Sequence, residues 1–286
     1  EKASIEKHIR LFEDFEGVGS FLSPRLSASY RLQPGHNLRI SAARGYRLPS
    51  LLEQHARYGL YASVDDSPAF ILYTSAADVQ PERIDAFEIG LVGIFDSLNL
   101  EYDAKVFRHQ MRDIIDAERH DMTFWIFDNI GRMNITGLEL QLSADLTEKT
   151  RIHASYSLVN PDGYANKDYT GGVLTGTRDL AREVPRNTFG LQLSHRFGQS
   201  LNATASYVHV SDQVWAGDGG IIPSYGRLDL KLAKQFRLSG GTDMRLELIV
   251  KNALDEHYND FLEPDTDYPG NVSERQIFGQ LSIRHR

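Results

Sequence analysis

The chain has 286 residues, a formal net charge of −8, 41% hydrophobic residues and no cysteine. No uninterrupted apolar run approaches the ~18–20 residues of a spanning helix, so a helical membrane protein is excluded, as are disulfide scaffolds, cysteine-zinc sites and thiol chemistry. The acidic balance argues against nucleic acid as the partner, which selects a basic face. A transmembrane β-barrel is not excluded, because lumen-facing polar residues dilute each of its strands and hide it from hydropathy. No secretory signal is visible at Glu1-Lys2, so the reading is that a leader was removed or that the chain is part of a longer product.

Residues 1–21 have no clear period; Ile5 to Phe15 reads as strand or loop. From Leu22 the pattern is strict. Leu22, Pro24, Leu26, Ala28, Tyr30 and Leu32 alternate with Ser23, Arg25, Ser27, Ser29 and Arg31, which predicts a strand with one apolar and one polar face. Gln33-Pro34-Gly35-His36 carries turn residues, and Leu38, Ile40 and Ala42 resume the alternation against Asn37, Arg39, Ser41 and Ala43. A long connection rich in tyrosine and charge is expected over 47–81. Phe87, Ile89, Leu91 and Phe95 mark the next apolar face, opposite Glu88. After a turn at Asp96-Ser97, Leu98, Leu100, Tyr102, Ala104 and Val106 alternate with Asn99, Glu101, Asp103 and Lys105 in a strand that runs on past Arg112. A second connection is expected near Asp116–Met122, with return through Phe124-Trp125-Ile126-Phe127.

Leu138, Leu140, Leu142, Ala144 and Leu146 then oppose Glu139, Gln141, Ser143 and Asp145. Thr147-Glu148-Lys149 turns into Ile152, Ala154, Tyr156 and Leu158, opposite Arg151, His153, Ser155 and Ser157. A long loop is expected over Asn160–Val184. Two strands follow around the turn Gly198-Gln199, from Phe189 to Phe197 and from Leu201 to Tyr207. After a loop over Asp212–Pro223 come Leu228–Leu232, a turn at Ser239-Gly240-Gly241, Leu246–Val250, a loop over Asn252–Ser273 and a last strand at Ile277–Ile283. This makes about eleven strands of roughly ten residues, the length that crosses a bilayer at a tilt. Short turns and long loops alternate. Outer-membrane barrels sort their connections that way, tight turns on one side and long loops on the other. A soluble β-sandwich has no reason to do so, and is the less favoured reading.

Six segments in this order resemble TonB-dependent outer-membrane receptors. Ser41-Ala42-Ala43-Arg44-Gly45-Tyr46-Arg47-Leu48-Pro49-Ser50 is similar to the family's GYRxPS segment. Gln80-Pro81-Glu82-Arg83 with Phe87-Glu88-Ile89-Gly90 resembles a strand start of the family. Asn129-Ile130-Gly131 with Thr136-Gly137-Leu138-Glu139, and Val184-Pro185-Arg186-Asn187-Thr188, resemble two more. Pro223 to Leu230 and Lys251 to Tyr258 resemble its final pair. The resemblance implies an all-β, antiparallel transmembrane barrel, with about 11–12 strands of a 22-stranded wall over residues 1–286. The family's plug domain and TonB-contacting segment have no counterpart in these residues. The ending His285-Arg286 departs from the family's aromatic terminus.

What the resemblance implies about function is uptake of a scarce, bulky nutrient across the bacterial outer membrane, most readily a ferric siderophore. TonB would supply the energy through the missing N-terminal region, and outer-membrane lipid and lipopolysaccharide would surround the wall. The candidate ligand contacts are Arg47, His55, Arg57, Tyr58, Tyr61, Trp125, Tyr164, Tyr169 and Trp215, aromatic and basic side chains that suit anionic, catechol-like or planar ligands. The bland alternative for each is an interfacial anchor or a loop-packing residue. Glu88 and Glu139 are expected to face the lumen, either paired with basic neighbours or simply solvated. Glu263, Asp265 and Asp267 offer hard oxygen ligands of the kind calcium takes, or form an acidic solvated loop. No resident cofactor, metal motif or catalytic set is expected, and nothing positions His209, Ser211 and Asp212 as one. The alternative to the transporter is a self-contained barrel of about twelve strands acting as a passive porin or adhesin.

Overall fold

The computed structural model describes residues 4–11, 21–64, 67–121, 123–170, 173–214, 220–238, 241–259 and 272–285. Twelve strands form one continuous wall: β1 (Ser4–Leu11), β2 (Leu22–Gln33), β3 (His36–Arg47), β4 (Glu82–Phe95), β5 (Leu100–Asp121), β6 (Phe124–Thr147), β7 (Thr150–Thr170), β8 (Asn187–Phe197), β9 (Leu201–Val210), β10 (Tyr225–Arg237), β11 (Thr242–Lys251) and β12 (Gln276–His285). Each pairs antiparallel with its sequence neighbours, in the order β1 to β12. Among the described residues β1 and β12 do not pair, so the sheet is open rather than a closed twelve-stranded barrel. That corrects the self-contained alternative.

Register carries the alternation across the wall. Leu26 faces Ala42, Ala42 faces Phe87, Val106 faces Leu138 and Leu138 faces Leu158. Further on, Ala154 faces Leu191, Leu230 faces Val250 and Leu246 faces Leu281. Many of the larger side chains on this face are exposed: Leu26 at 49%, Ile89 at 51%, Leu248 at 48% and Ile283 at 65%. Buried apolar side chains are few and scattered among the described residues, the small cluster of Ile130 and Leu180 with Ile114 and Met133 being an example. An apolar sheet face of this extent with no second layer over it faces lipid, not a dry core. The opposite face joins Ser41 to Glu88, Lys105 to Glu139, Gln141 to Ser155 and Gln192 to Ser206, and it is the polar lumen side.

The tight connections all lie at one end. Pro34-Gly35 turns with Gly35 at φ +79°, and Asn99 closes a 3₁₀ turn, Asp96–Leu98, at φ +47°. The other end is tall. β5, β6 and β7 have 22, 24 and 21 residues, about twice what a bilayer needs. The expected connections at Asp116–Met122 and Asn160–Val184 are therefore largely strand: β5 continues to Asp121 and β7 to Thr170. Beyond the lipid both faces of a strand are wet, so the apolar period disappears while the hydrogen-bond ladder continues. The 47–81 connection is also built. A short helix, α1 (Leu51–His55), leads into a hairpin, Arg57–Val64 with Ser67–Ser75, whose second strand pairs parallel to the start of β6, Tyr73 opposite Trp125.

Candidate functional site

Three constellations gather on the lumen side and at the tall end. The first is a clamp at the top of β3. Arg47 donates through Nε and Nη2 to the two carboxylate oxygens of Glu82, both at 2.6 Å, and through Nη1 to Glu53 at 3.0 Å. Glu53 also closes a capping box with Ser50: it accepts from the Ser50 N–H at 2.7 Å, while the Ser50 hydroxyl accepts from the Glu53 N–H at 3.2 Å. Glu82 in turn accepts from the Ile115 N–H at 2.8 Å. Burial opposes ionisation of Glu53, but the Ser50 and Arg47 donors outweigh it and hold its carboxyl below the ordinary value. A guanidinium matches two carboxylates at once because its donors form a planar fork. The GYRxPS and Pro-Glu segments are thus joined to each other in space.

The second is an aromatic ladder. Tyr58 stacks on Tyr73 with centroids 4.9 Å apart and planes 5° apart; Tyr73 lies 6.0 Å from Trp125 and 6.2 Å from Phe127. The hairpin register makes the first pair, Tyr58 opposite Tyr73, and the parallel pairing to β6 adds the tryptophan. Burial, with the neighbouring Tyr58, raises the Tyr73 phenol above its usual value. Nearer the hairpin tip Tyr61 meets Phe70 at 5.1 Å and is 86% exposed. Flat rings held in near-parallel planes, with an exposed ring nearby at Tyr61, can stack on an aromatic or planar ligand.

The third is a charge ladder on the lumen face within the membrane span. Arg39 grips Asp103 with two 2.7 Å bonds. Lys105 Nζ lies 2.9 Å from Glu139 and 3.8 Å from Glu88, and His109 Nε2 lies 3.5 Å from Glu88. Glu88 and Glu139 therefore pair with neighbours rather than standing solvated alone. Beside the ladder lies a concavity of about 880 Å³, lined by Asp103, Gln141, Ser143, His153, Gln192 and Ser206 among others.

Of the residues predicted from sequence, Tyr58 and Trp125 are brought together through Tyr73, while Tyr61 pairs separately with Phe70; Arg57 is paired opposite Thr74 in the same hairpin and His55 ends α1. Arg47 belongs to the clamp. Tyr164 is elsewhere, on the outward side of β7, with the Arg132 guanidinium 4.8 Å above its ring. Trp215, the side chain of Tyr169 and the acidic segment Glu263–Asp267 lie outside the described residues. Sequence reasoning missed Tyr73 and Phe127 as partners in the ladder and Phe70 as the partner of Tyr61; the two-residue spacing of Trp125 and Phe127 was the available signal. Ser211, singled out near His209, accepts from the Asn187 N–H at 3.1 Å and secures a strand end. No group of three or more possible metal ligands occurs among the described residues.

The last quoted motif pair is a structural clasp. Asn252, 2% exposed and at φ +51°, exchanges bonds with Glu256 and donates its N–H to the Asp229 carboxylate at 3.0 Å, while Tyr225 stacks on Tyr258 at 4.1 Å.

A family described as TonB dependent receptor-like, beta-barrel, matches residues 7–253. In Acinetobacter baumannii the protein named probable TonB-dependent siderophore receptor PiuA is 25% identical over 187 residues, which is 63% of this chain and 24% of that one. The crystal structure of the siderophore receptor PirA from the same species superposes with a TM-score of 0.72 at 17% identity, over 98% of this chain and 43% of that one. A mutant ferric enterobactin receptor PfeA from Pseudomonas aeruginosa, in complex with enterobactin, gives 0.73 at 16% identity, over 98% and 43%. The chain thus spans a quarter of the matched curated relative and just over two fifths of these receptors. The lipid-facing leucine rows, the polar lumen, the one-sided turns and the match across residues 7–253 agree: this chain belongs to the TonB-dependent receptor β-barrel family of the bacterial outer membrane.

Proposed function

We propose that the chain forms the C-terminal wall of a receptor that takes up a ferric siderophore, with energy delivered through TonB to a plug domain encoded outside these residues. The observation that carries this reading is the ladder Tyr58–Tyr73–Trp125 with Phe127, held by two strand pairings at the tall end of the wall. Stacked rings at the mouth suit a ligand with catechol or other planar groups. The polar lumen behind them suits passage of a hydrated, charged cargo. The names carried by the similar proteins, siderophore receptors in each case, support the same class of ligand. Nothing in the geometry asks for chemistry on the ligand; the reading is transport without catalysis.

The test is uptake of radiolabelled iron, presented as a catecholate siderophore, by cells whose only receptor is the full-length protein containing this chain. Uptake should require TonB, and Tyr73→Ala should lower it at limiting ligand while receptor abundance stays constant. Uptake that persists at the same rate without TonB would overturn the energised reading. Uptake unaltered by both Tyr73→Ala and Trp125→Ala would overturn the assignment of the ladder.

A further inference from the structure

We propose that Asn129 is the positioning residue of the aromatic ladder: its side chain pins the chain that crosses over β5 and β6, and so fixes the register that lays Tyr73 beside Trp125. That register is lightly held by the strands themselves. Four residue pairs join the hairpin strand Ser67–Ser75 to β6, from Leu72 opposite Phe124 to Ser75 opposite Phe127. Two backbone bonds bracket them, from the Leu72 N–H to the Thr123 carbonyl at 2.7 Å and from the Ala76 N–H to the Phe127 carbonyl at 2.9 Å. So short a parallel run is a weak pairing. A slip of one residue would turn every side chain to the other face, and a slip of two would carry Tyr73 away from Trp125 to the level of Phe127. Ser75 does not prevent either. Its hydroxyl accepts from the Ala56 N–H at 2.7 Å and donates to the Leu52 carbonyl at 3.3 Å, which ties the hairpin to α1 and not to β6.

The route of the chain after Ser75 supplies what the strands lack. Along residues 124–127 one edge of β6 is taken by β5, with Phe127 opposite Ala117 and Trp125 opposite Arg119, and the other edge by the hairpin. The next wall strand in the chain, β4, lies beyond β5. Residues 76–81 therefore pass across the sheet over both strands, and they are not strand themselves. Asn129 meets them two positions past the last hairpin pair. Its Oδ1 accepts from the Gln80 N–H at 2.6 Å, while its Nδ2 donates to the Gln80 carbonyl at 2.8 Å and to the Asp113 carbonyl at 2.7 Å. The two bonds to Gln80 copy what a partner strand would give it. The third reaches the bulge of β5 between Met111 and Ile114, where Asp113 stands at φ +58° outside the register with β6. One carboxamide thus staples the crossing to β6 and to β5 together. A carboxamide is the side chain that brings one acceptor and two donors to this reach. Aspartate would present oxygen alone to two carbonyls, and glutamine is longer by a methylene. The Asn-x-Gly segment noted in the sequence acquires its reason here.

The test traps the register with cysteine pairs in the full-length receptor; these residues hold no cysteine of their own to compete. Thr74→Cys with Ile126→Cys joins direct partners and should close on mild oxidation. Leu72→Cys with Ile126→Cys is two residues out of step, about 8 Å apart and beyond disulfide reach, and should stay open. Neither pair uses a ring of the ladder. Asn129→Ala and Asn129→Asp should each slow closure of the first pair and let the second close. Closure unaltered by both substitutions would overturn the pin, whatever the ligand is. The second arm is uptake of iron presented as a catecholate siderophore, and it rests on the ladder being the ligand contact. Apparent affinity scales with the fraction of receptor in register, so Asn129→Ala should raise the half-saturating concentration about tenfold and leave the maximal rate unchanged. The disulfide of the first pair should restore it, and reduction should undo the rescue. A disulfide from Leu60→Cys with Ile71→Cys, partners inside the hairpin, stiffens the hairpin without fixing it to β6 and should not rescue. Rescue by both disulfides, or by neither, would overturn register as the means by which Asn129 acts. Altered trapping with unaltered uptake would uphold the pin and overturn the ladder as the ligand contact.

Discussion

Leu91 and Val92 are adjacent, yet a charge placed at one should behave unlike a charge placed at the other. Leu91 lies between Leu38 and Ala104 on the lipid side, midway along the outward series Phe87 to Phe95. Four residues separate it from either end of that series, about 13 Å along the strand. That is more than an arginine stem can snorkel to reach the polar layer. Leu91→Arg should therefore cost the full midplane penalty, about 2–4 kcal/mol, or about 30- to 900-fold in the ratio of folded to unfolded receptor. Val92 points into the lumen between Asn37 and Asp103. An arginine there meets water beside an Asp103 already held by Arg39, so Val92→Arg should change stability by less than about 1 kcal/mol. The assay is guanidinium unfolding of the full-length receptor refolded into lipid vesicles, compared at constant m-value. Equal losses at the two positions, or the larger loss at Val92, would refute the assignment of faces and with it the membrane reading.

Arg47→Ala frees two carboxylates and should raise hydrogen exchange in residues 50–56, with a local loss of about 1 kcal/mol for a clamp that is half exposed. Arg47→Lys should restore it only in part, because an ammonium lacks the fork; full restoration would refute the bidentate account. Glu53 has a folded-state carboxyl below its ordinary value, so its capping contribution is present above about pH 4.3, its unfolded value, and is lost as pH falls through the folded one. Protection of the α1 amides should be level from pH 8 to 5 and fall only below about 4; protection that falls on raising pH over that range would contradict the cap. Gly137 lies opposite the Phe107 ring, and a Cβ there would meet that ring and the Leu158 carbonyl oxygen at 2.7 Å. Since that oxygen belongs to the backbone of β7, Gly137→Ala should cost about 1–3 kcal/mol, seen as a lower unfolding midpoint; an unchanged midpoint would mean that the strands adjust freely.

Where strands cross lipid the sequence was legible, because burial in two unlike solvents imposes a two-residue period on Leu138–Leu146 and Ile152–Leu158 alike. Where they rise clear of lipid that constraint lapses. Pro161 and Gly163 read as loop but pair with Ile135 and Met133 in a continuing ladder, and the apparent connection at Asp116 is strand for the same reason. Tyr58 and Trp125 were recognisable by residue type. Their assembly was not, since the parallel pairing of Ser67–Ser75 with β6 is a long-range contact that leaves no local period. The Arg47 clamp was legible only as two motifs, because the contact between Arg47 and Glu82 spans 35 positions.

The height of β5 to β7 has a mechanical consequence at the cell surface. A 24-residue strand runs about 80 Å, so at the usual tilt some 30 Å of it projects above the hydrocarbon. Among the described residues, the top of these three strands is thus a hydrogen-bonded parapet. A solute arriving there meets groups that are already ordered, and little conformational entropy is given up on capture.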